Sequence, residues 1–317
     1  MEQKISMIPQ RDGYGKGLLE LCETRQNVMV LDADVSASTR SSWVAKEYPE
    51  HFQNMGISEQ DMVGTAAGLA LGGMIPFIST YGVFLAGRAW DQIRTTVCYN
   101  NLNVKFGGAH AGISVGPDGA THQALEDIAI TRVLPNMTVI APCDWIETKK
   151  AVIAAADWNG PVYIRFGREA VPVVTEDDTP FEIGKARVLR EGTDVALIAC
   201  GALVYEAQKA AEALASEGIQ SCVIDLHTIK PLDEACIQTV AQTCGAIVTA
   251  EEHQINGGLG SAVAEFVAKQ CPVPVEMVAV NDRFGQSGQP EELMELYGLT
   301  SKDIVNAAKH AIARKQQ

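Results

Sequence analysis

The sequence predicts an α/β protein of two consecutive domains, each built on a mainly parallel sheet flanked by helices. Three observations carry that expectation. Short apolar runs of strand length alternate with helical stretches from end to end, the pattern of parallel sheets covered by helices. At 317 residues the chain exceeds the usual single-domain size, and each half is long enough to bury its own core. Between the halves, Val174–Phe181 carries Asp, Thr and Pro with little apolar periodicity, which marks a junction. The expected division is 1–175, a linker at 176–190, and 191–317.

In the first half, Val28–Asp34 reads as a strand ending in acidic residues, and Met74–Thr80 as a second. Val104–His110, Thr138–Pro142 and Pro161–Arg165 supply three more, with helices expected at 13–24, 60–72, 86–99, 123–132 and 145–157. In the second half the strands are Asp194–Cys200, Ser221–Asp225, Ala246–Ala250 and Val275–Val280, closed by a helix over Lys302–Lys315. In such open sheets ligands gather at the carboxyl ends of the strands. Asp34, Tyr81, His110 and Arg168 all fall just after an expected strand, so one shared site is expected there.

Composition narrows the function. A net charge of −14 lacks the clustered basic surface that nucleic acid requires, while leaving a small phosphorylated ligand open. The eight cysteines are scattered without a CxxC pair and read as reduced core thiols. No apolar run is long enough to span a membrane and Met1–Pro9 lacks a signal core, so a cytoplasmic protein is expected. No histidine or cysteine spacing has the form of a zinc site.

Two segments carry candidate chemistry. Glu59 stands at the mouth of the glycine- and alanine-rich stretch Met62–Gly73. A glutamate there is either an N-terminal charge favoured by the helix dipole or a proton carrier against an apolar wall. The glycine-rich segment His110–Gln123 holds two histidines and Asp118, either a solvated turn or groups aimed at a ligand. Farther on, Asn256–Ala262 places a glycine-rich turn before a helix, a shape able to bind an anion, read here as structural. His227 reads as a polar loop residue, and His51 and His310 as surface residues.

Four blocks in order carry a resemblance: Asp34–Arg40, Gly56–Gln60, Thr80–Phe84 and Pro117–Gln123. The chain resembles the carboxyl-terminal two-thirds of transketolase, its pyrimidine-binding and C-terminal domains. The resemblance implies that Glu59 hydrogen-bonds N1′ of the aminopyrimidine of thiamine diphosphate and that Tyr81 and Phe84 pack on that ring, although core packing is a rival reading for both. It implies that His110 and His122 line the substrate channel and move protons, that Asp118 recognises a sugar hydroxyl, and that Arg11, Ser38 and Arg168 grip a phosphate. Asp34 matches an acidic residue close to the cofactor, or serves as a turn cap. Gly82 and Gly87 fall where the family pattern has larger side chains, which bears on donor preference.

Transketolase binds diphosphate and Mg²⁺ through a Gly-Asp-Gly motif, and no such tripeptide occurs here. The resemblance therefore implies a split enzyme. This chain would be the C-terminal subunit, carrying no metal ligand, and a separate N-terminal subunit would supply the diphosphate site. The expected activity is transfer of a two-carbon ketol unit between sugar phosphates, in a dimer of heterodimers. Two rivals stand beside it: the β-subunit of the decarboxylating component of a 2-oxo-acid dehydrogenase, and a non-catalytic scaffold that kept the fold.

Overall fold

The computed structural model describes residues 5–315. Met1–Lys4, part of the stretch read for a signal core, lie outside the described residues. Eight strands come from the first half: β1 Met7–Pro9, β2 Val28–Asp32, β3 Phe52–Asn54, β4 Ile75–Tyr81, β5 Lys105–Ala109, β6 Thr138–Ile140, β7 Val162–Arg165 and β8 Ala170–Pro172. Six follow: β9 Arg187–Arg190, β10 Val195–Ala199, β11 Ser221–Asp225, β12 Thr228–Lys230, β13 Ile247–Gln254 and β14 Val275–Val280.

They form a seven-stranded sheet in the order β12-β6-β7-β5-β4-β2-β3, a five-stranded sheet β14-β13-β10-β11-β9, and the ribbon β1-β8. The two large sheets are parallel except for one edge strand each, β12 against β6 and β9 against β11. Central strands such as β4 are buried along nearly their whole length. Helices cover both faces of such a sheet, so its strands read as continuous apolar runs.

Helices Gln10–Thr24 and Trp145–Asp157 close one face of the first sheet over Tyr14, Leu18, Leu21, Phe77, Val152 and Ala155. Burying a large apolar side chain of this kind fully contributes ~1.5–3 kcal/mol. The second of these helices starts where Asp144 accepts Glu147 N–H at 2.9 Å while Glu147 reaches back to Cys143 N–H at 2.6 Å. This reciprocal exchange satisfies amides that a helix start leaves free. The opposite face packs helix Glu59–Leu71 into an apolar cluster that continues through Cys200, Ile224 and Ile237 of the second sheet and its helices. One apolar cluster thus runs through both halves, beside further clusters centred on each sheet.

The structure departs from the sequence reading in several places. The helix expected over 86–99 is two π-helical stretches, Val83–Arg88 and Ile93–Cys98, around a short turn at Trp90–Gln92. The helix expected from 123 begins at Asp127, because Ala124 instead bridges Ala111. β9 lies inside the stretch expected to be linker, and β12, from beyond the junction, joins the first sheet. His51 is no surface residue: it is buried, with Nδ1 2.7 Å from the Val28 carbonyl. No described helix is long and apolar enough to cross a membrane.

Candidate active site

The site lies at the carboxyl ends of β2, β4 and β5. Behind it, the buried carboxylate of Asp32 accepts from Val35 N–H at 2.6 Å, Thr39 Oγ1 at 2.9 Å and Ser41 Oγ at 2.8 Å, fixing the 33–41 loop. Burial pushes its carboxyl pKa up while these donors oppose the shift. The loop presents Ser38: its Oγ accepts from Tyr81 Oη at 3.1 Å, and its carbonyl accepts from Arg11 Nη1 at 3.3 Å. A second bond, Arg40 Nε to Asp12 at 2.7 Å, holds the loop to the first helix.

An aromatic wall stands above this base. The rings of Tyr81 and His110 stack with centroids 4.2 Å apart, and His122 sets its edge toward Phe84 at 5.2 Å and toward Tyr81 at 5.9 Å. His110 sits at φ +53°, in the left-handed region that residues with a Cβ seldom adopt, so the strand end turns its ring onto Tyr81. Both its ring nitrogens are buried without a hydrogen-bond partner. Burial, reinforced by the cations Arg11 and Arg168, pulls its pKa down to about 4. At neutral pH it is an uncharged imidazole that can still give or take a proton. Burial also lowers the Arg11 pKa, with Arg40 adding to the effect, and Arg11 Nε has no partner.

Glu59 opens its helix at 2% exposure. Arg88 Nη1 lies 2.9 Å from both of its oxygens, and the Arg88 guanidinium sits 4.6 Å over the Phe84 ring. Across the pocket, Arg168 Nη1 donates to Asp118 at 3.1 Å. Direct contacts link seven of the ten expected site residues, Glu59 through Arg88 to Phe84, Phe84 to Tyr81 and His122, Tyr81 to His110 and Ser38, and Ser38 to Arg11, while the Arg168–Asp118 pair stands close enough to act on the charge of His110. Asp34 is the exception. It is exposed, and its carboxylate accepts from Asn54 Nδ2 at 2.9 Å.

The loop bearing Asp118 and His122 rests on the second domain. Glu252 of β13 accepts from Ser114 N–H, and Gln123 Nε2 donates to the Ile113 carbonyl at 3.1 Å and the Gln286 carbonyl at 3.0 Å. Gly112, at φ +94°, leaves room for the Glu252 carboxylate, which a Cβ would strike. Gly82 is packed against Tyr163 and Ala124, whereas nothing lies within 4 Å of where a Cβ on Gly87 would stand.

Sequence reasoning missed Asp32, Arg88 and Glu252. The signal for Arg88 was its place four residues after Phe84, hidden because the expected helix began only at residue 86 and left Phe84 outside it. The glycine-rich turn at Asn256–Ala262 does hold an anion, and it is the protein's own: Glu251 accepts from Leu259 N–H at 2.7 Å and Gly260 N–H at 2.8 Å. His227 is a buried loop residue stacked on Phe181 at 4.3 Å. His310 is exposed beside Glu276 at 3.0 Å.

Comparison with known proteins accounts for nearly the whole chain. Residues 6–174 match the model of the transketolase pyrimidine binding domain, and residues 184–304 that of the transketolase C-terminal domain. A 6-deoxy-6-sulfo-D-fructose transketolase subunit from Clostridium sp. is 41% identical over 314 residues, covering 99% of this chain and 98% of the relative. An apulose-4-phosphate transketolase subunit from Phocaeicola vulgatus is 39% identical over 304 residues, covering 96% and 97%. A split gene transketolase, solved as an inactive beta4 tetramer, matches with a TM-score of 0.92 at 49% identity, over 97% of this chain and 99% of that one. With both domains present in order and the coverage nearly complete in each direction, the chain belongs to the transketolase family, among its split C-terminal subunits.

Proposed function

We propose that this chain is the C-terminal subunit of a two-chain, thiamine-diphosphate-dependent transketolase that moves a two-carbon ketol unit from a ketose phosphate to an aldose phosphate. The observation that carries the reading is the convergence of a buried carboxylate, an aromatic wall and an unpartnered imidazole at one set of strand ends. These residues fit the pyrimidine half of the cofactor: Glu59 offers a hydrogen bond to N1′, and Tyr81 and Phe84 offer ring faces. When bound, the cofactor supplies the electron sink for breaking and making the carbon–carbon bond.

The chain's own groups do the rest. Neutral His110 takes or gives a proton at the substrate's oxygens, and His122, beside Thr121 Oγ1 at 2.9 Å, faces the same wall. Asp118 accepts from a sugar hydroxyl once Arg168 turns to the phosphate. A guanidinium fork suits that group, and Arg11 and Ser38 complete the grip. Diphosphate and Mg²⁺ are assigned to the N-terminal subunit. Among the described residues the group with metal-ligand spacing, Cys143, Glu147 and Asp225, is buried, and Glu147 there serves the helix start, so no metal is placed on it. The assembly we infer is a cytoplasmic dimer of heterodimers.

The test is titration of thiamine diphosphate with Mg²⁺ into this chain alone and into the chain mixed with an N-terminal transketolase subunit, with ketol transfer followed in parallel. Binding and turnover confined to the mixture are expected. Turnover by the chain alone would overturn the reading. Decarboxylation of a 2-oxo acid by the mixture, without ketol transfer, would favour the dehydrogenase β-subunit. Full activity of a Glu59→Ala mixture would leave only a scaffold role.

A further inference from the structure

The ion pair between Glu59 and Arg88 is an unusual use of a buried carboxylate, because its cation is half exposed. Arg88 Nη1 stands 2.9 Å from each Glu59 oxygen, so it covers the end of the carboxylate that a ring nitrogen hydrogen-bonded to this group would approach. The guanidinium meanwhile lies 4.6 Å over Phe84. A guanidinium is planar, stacks on aromatic faces and presents N–H groups along its edge. In this position it reproduces both contacts of an aminopyrimidine, the edge toward a carboxylate and the flat face on an aromatic ring. The Arg88 side chain is 48% exposed against 2% for Glu59, so the arginine can leave while the glutamate cannot. Its backbone closes the π-helical stretch Val83–Arg88, and Gly87 beside it has open space around it.

We propose that Arg88 is a place-holder: in the free chain its guanidinium occupies the pyrimidine seat on Glu59 and Phe84, and it swings out when the cofactor ring enters. The inference rests on the function proposed above. Its role is positional. The arginine keeps the buried Glu59 carboxylate paired while the seat holds no ring, and it lowers the apparent affinity by the fraction of time it occupies the seat.

The experiment is isothermal titration of thiamine, which carries the pyrimidine without the diphosphate, into the full chain assembled with an N-terminal transketolase subunit. Arg88→Ala is expected to lower the Kd about tenfold relative to wild type, and Arg88→Lys, which keeps the charge but not the plane, to fall between the two. In a Glu59→Gln background the arginine loses its charge partner, so adding Arg88→Ala should change the Kd less than twofold, a coupling that a merely structural arginine would not show. An unchanged or higher Kd for Arg88→Ala, or equal effects in both backgrounds, overturns the proposal, as does thiamine binding to neither protein. The function itself is judged separately by turnover of the mixed subunits. Turnover together with an indifferent Arg88→Ala would sink the place-holder and leave the transketolase reading standing.

Discussion

Two glycine-rich loops of this molecule meet the same demand in opposite ways. The turn before helix Leu259–Gln270 exposes helix amides that call for an anion, and Glu251 fills that place from the same chain. The loop His110–Gln123 leaves its demand open: the buried imidazole of His110 has no partner on either nitrogen. Buried polar groups are almost always satisfied, and although Asp225 and Thr249 are open too, His110 differs from them by standing at the strand ends on the Tyr81 ring and near two arginines.

The sharpest way to break this contrast is kinetic. On the open side, Glu59→Gln in the mixed enzyme should cost about 10³ in kcat, or about 4 kcal/mol, read from initial rates of ketol transfer. Its unfolding midpoint in urea should stay close to that of the wild type. A variant that merely unfolds would place Glu59 with Glu251 on the structural side.

The second contrast is with pH. Because the folded pKa of His110 is lowered to about 4 from the usual 6.5, the unfolded chain binds this proton more readily, and stability falls as pH drops through that window. At most about 3 kcal/mol is involved, at about 1.4 kcal/mol per pH unit. Urea unfolding at pH 7 and pH 4.5 should show His110→Asn losing less stability on acidification than wild type. Equal losses would mean that the imidazole is not isolated in solution.

On the closed side, Glu251→Gln should cost about 2 kcal/mol of stability, since one of two buried amides loses its charged acceptor. Ketol transfer by the folded fraction should remain within about twofold of wild type. A large loss of kcat would mean that the second loop also serves the reaction.

The sequence showed much of this because apolar runs such as Val195–Ala199 carry their own secondary structure, and because Tyr81 ends one strand and His110 follows another directly. What stayed hidden depended on distant partners. Lys105 reads as an ordinary charge inside a strand, yet its ammonium is buried against Asn103 Oδ1 and the carbonyls of Trp158 and Gly160 at 2.6–2.7 Å. Glu251 and Arg88 are likewise defined by what they touch. Asp32 and Asp34 look equivalent in a run of acids, and only the fold decides which one points inward to anchor a loop. The π-turns of 83–98 kept apolar spacing close enough to helical that the extra residue per turn went unseen.

β12 bears on how the molecule is made. Its three residues arrive on the ribosome long after β6, whose edge they cover in the finished sheet. At roughly 5–20 residues per second, that edge waits bare for several seconds of synthesis. An uncovered strand edge invites pairing with other chains. A first half made without the second would keep that edge bare, so the first sheet is completed only by a strand from beyond the junction.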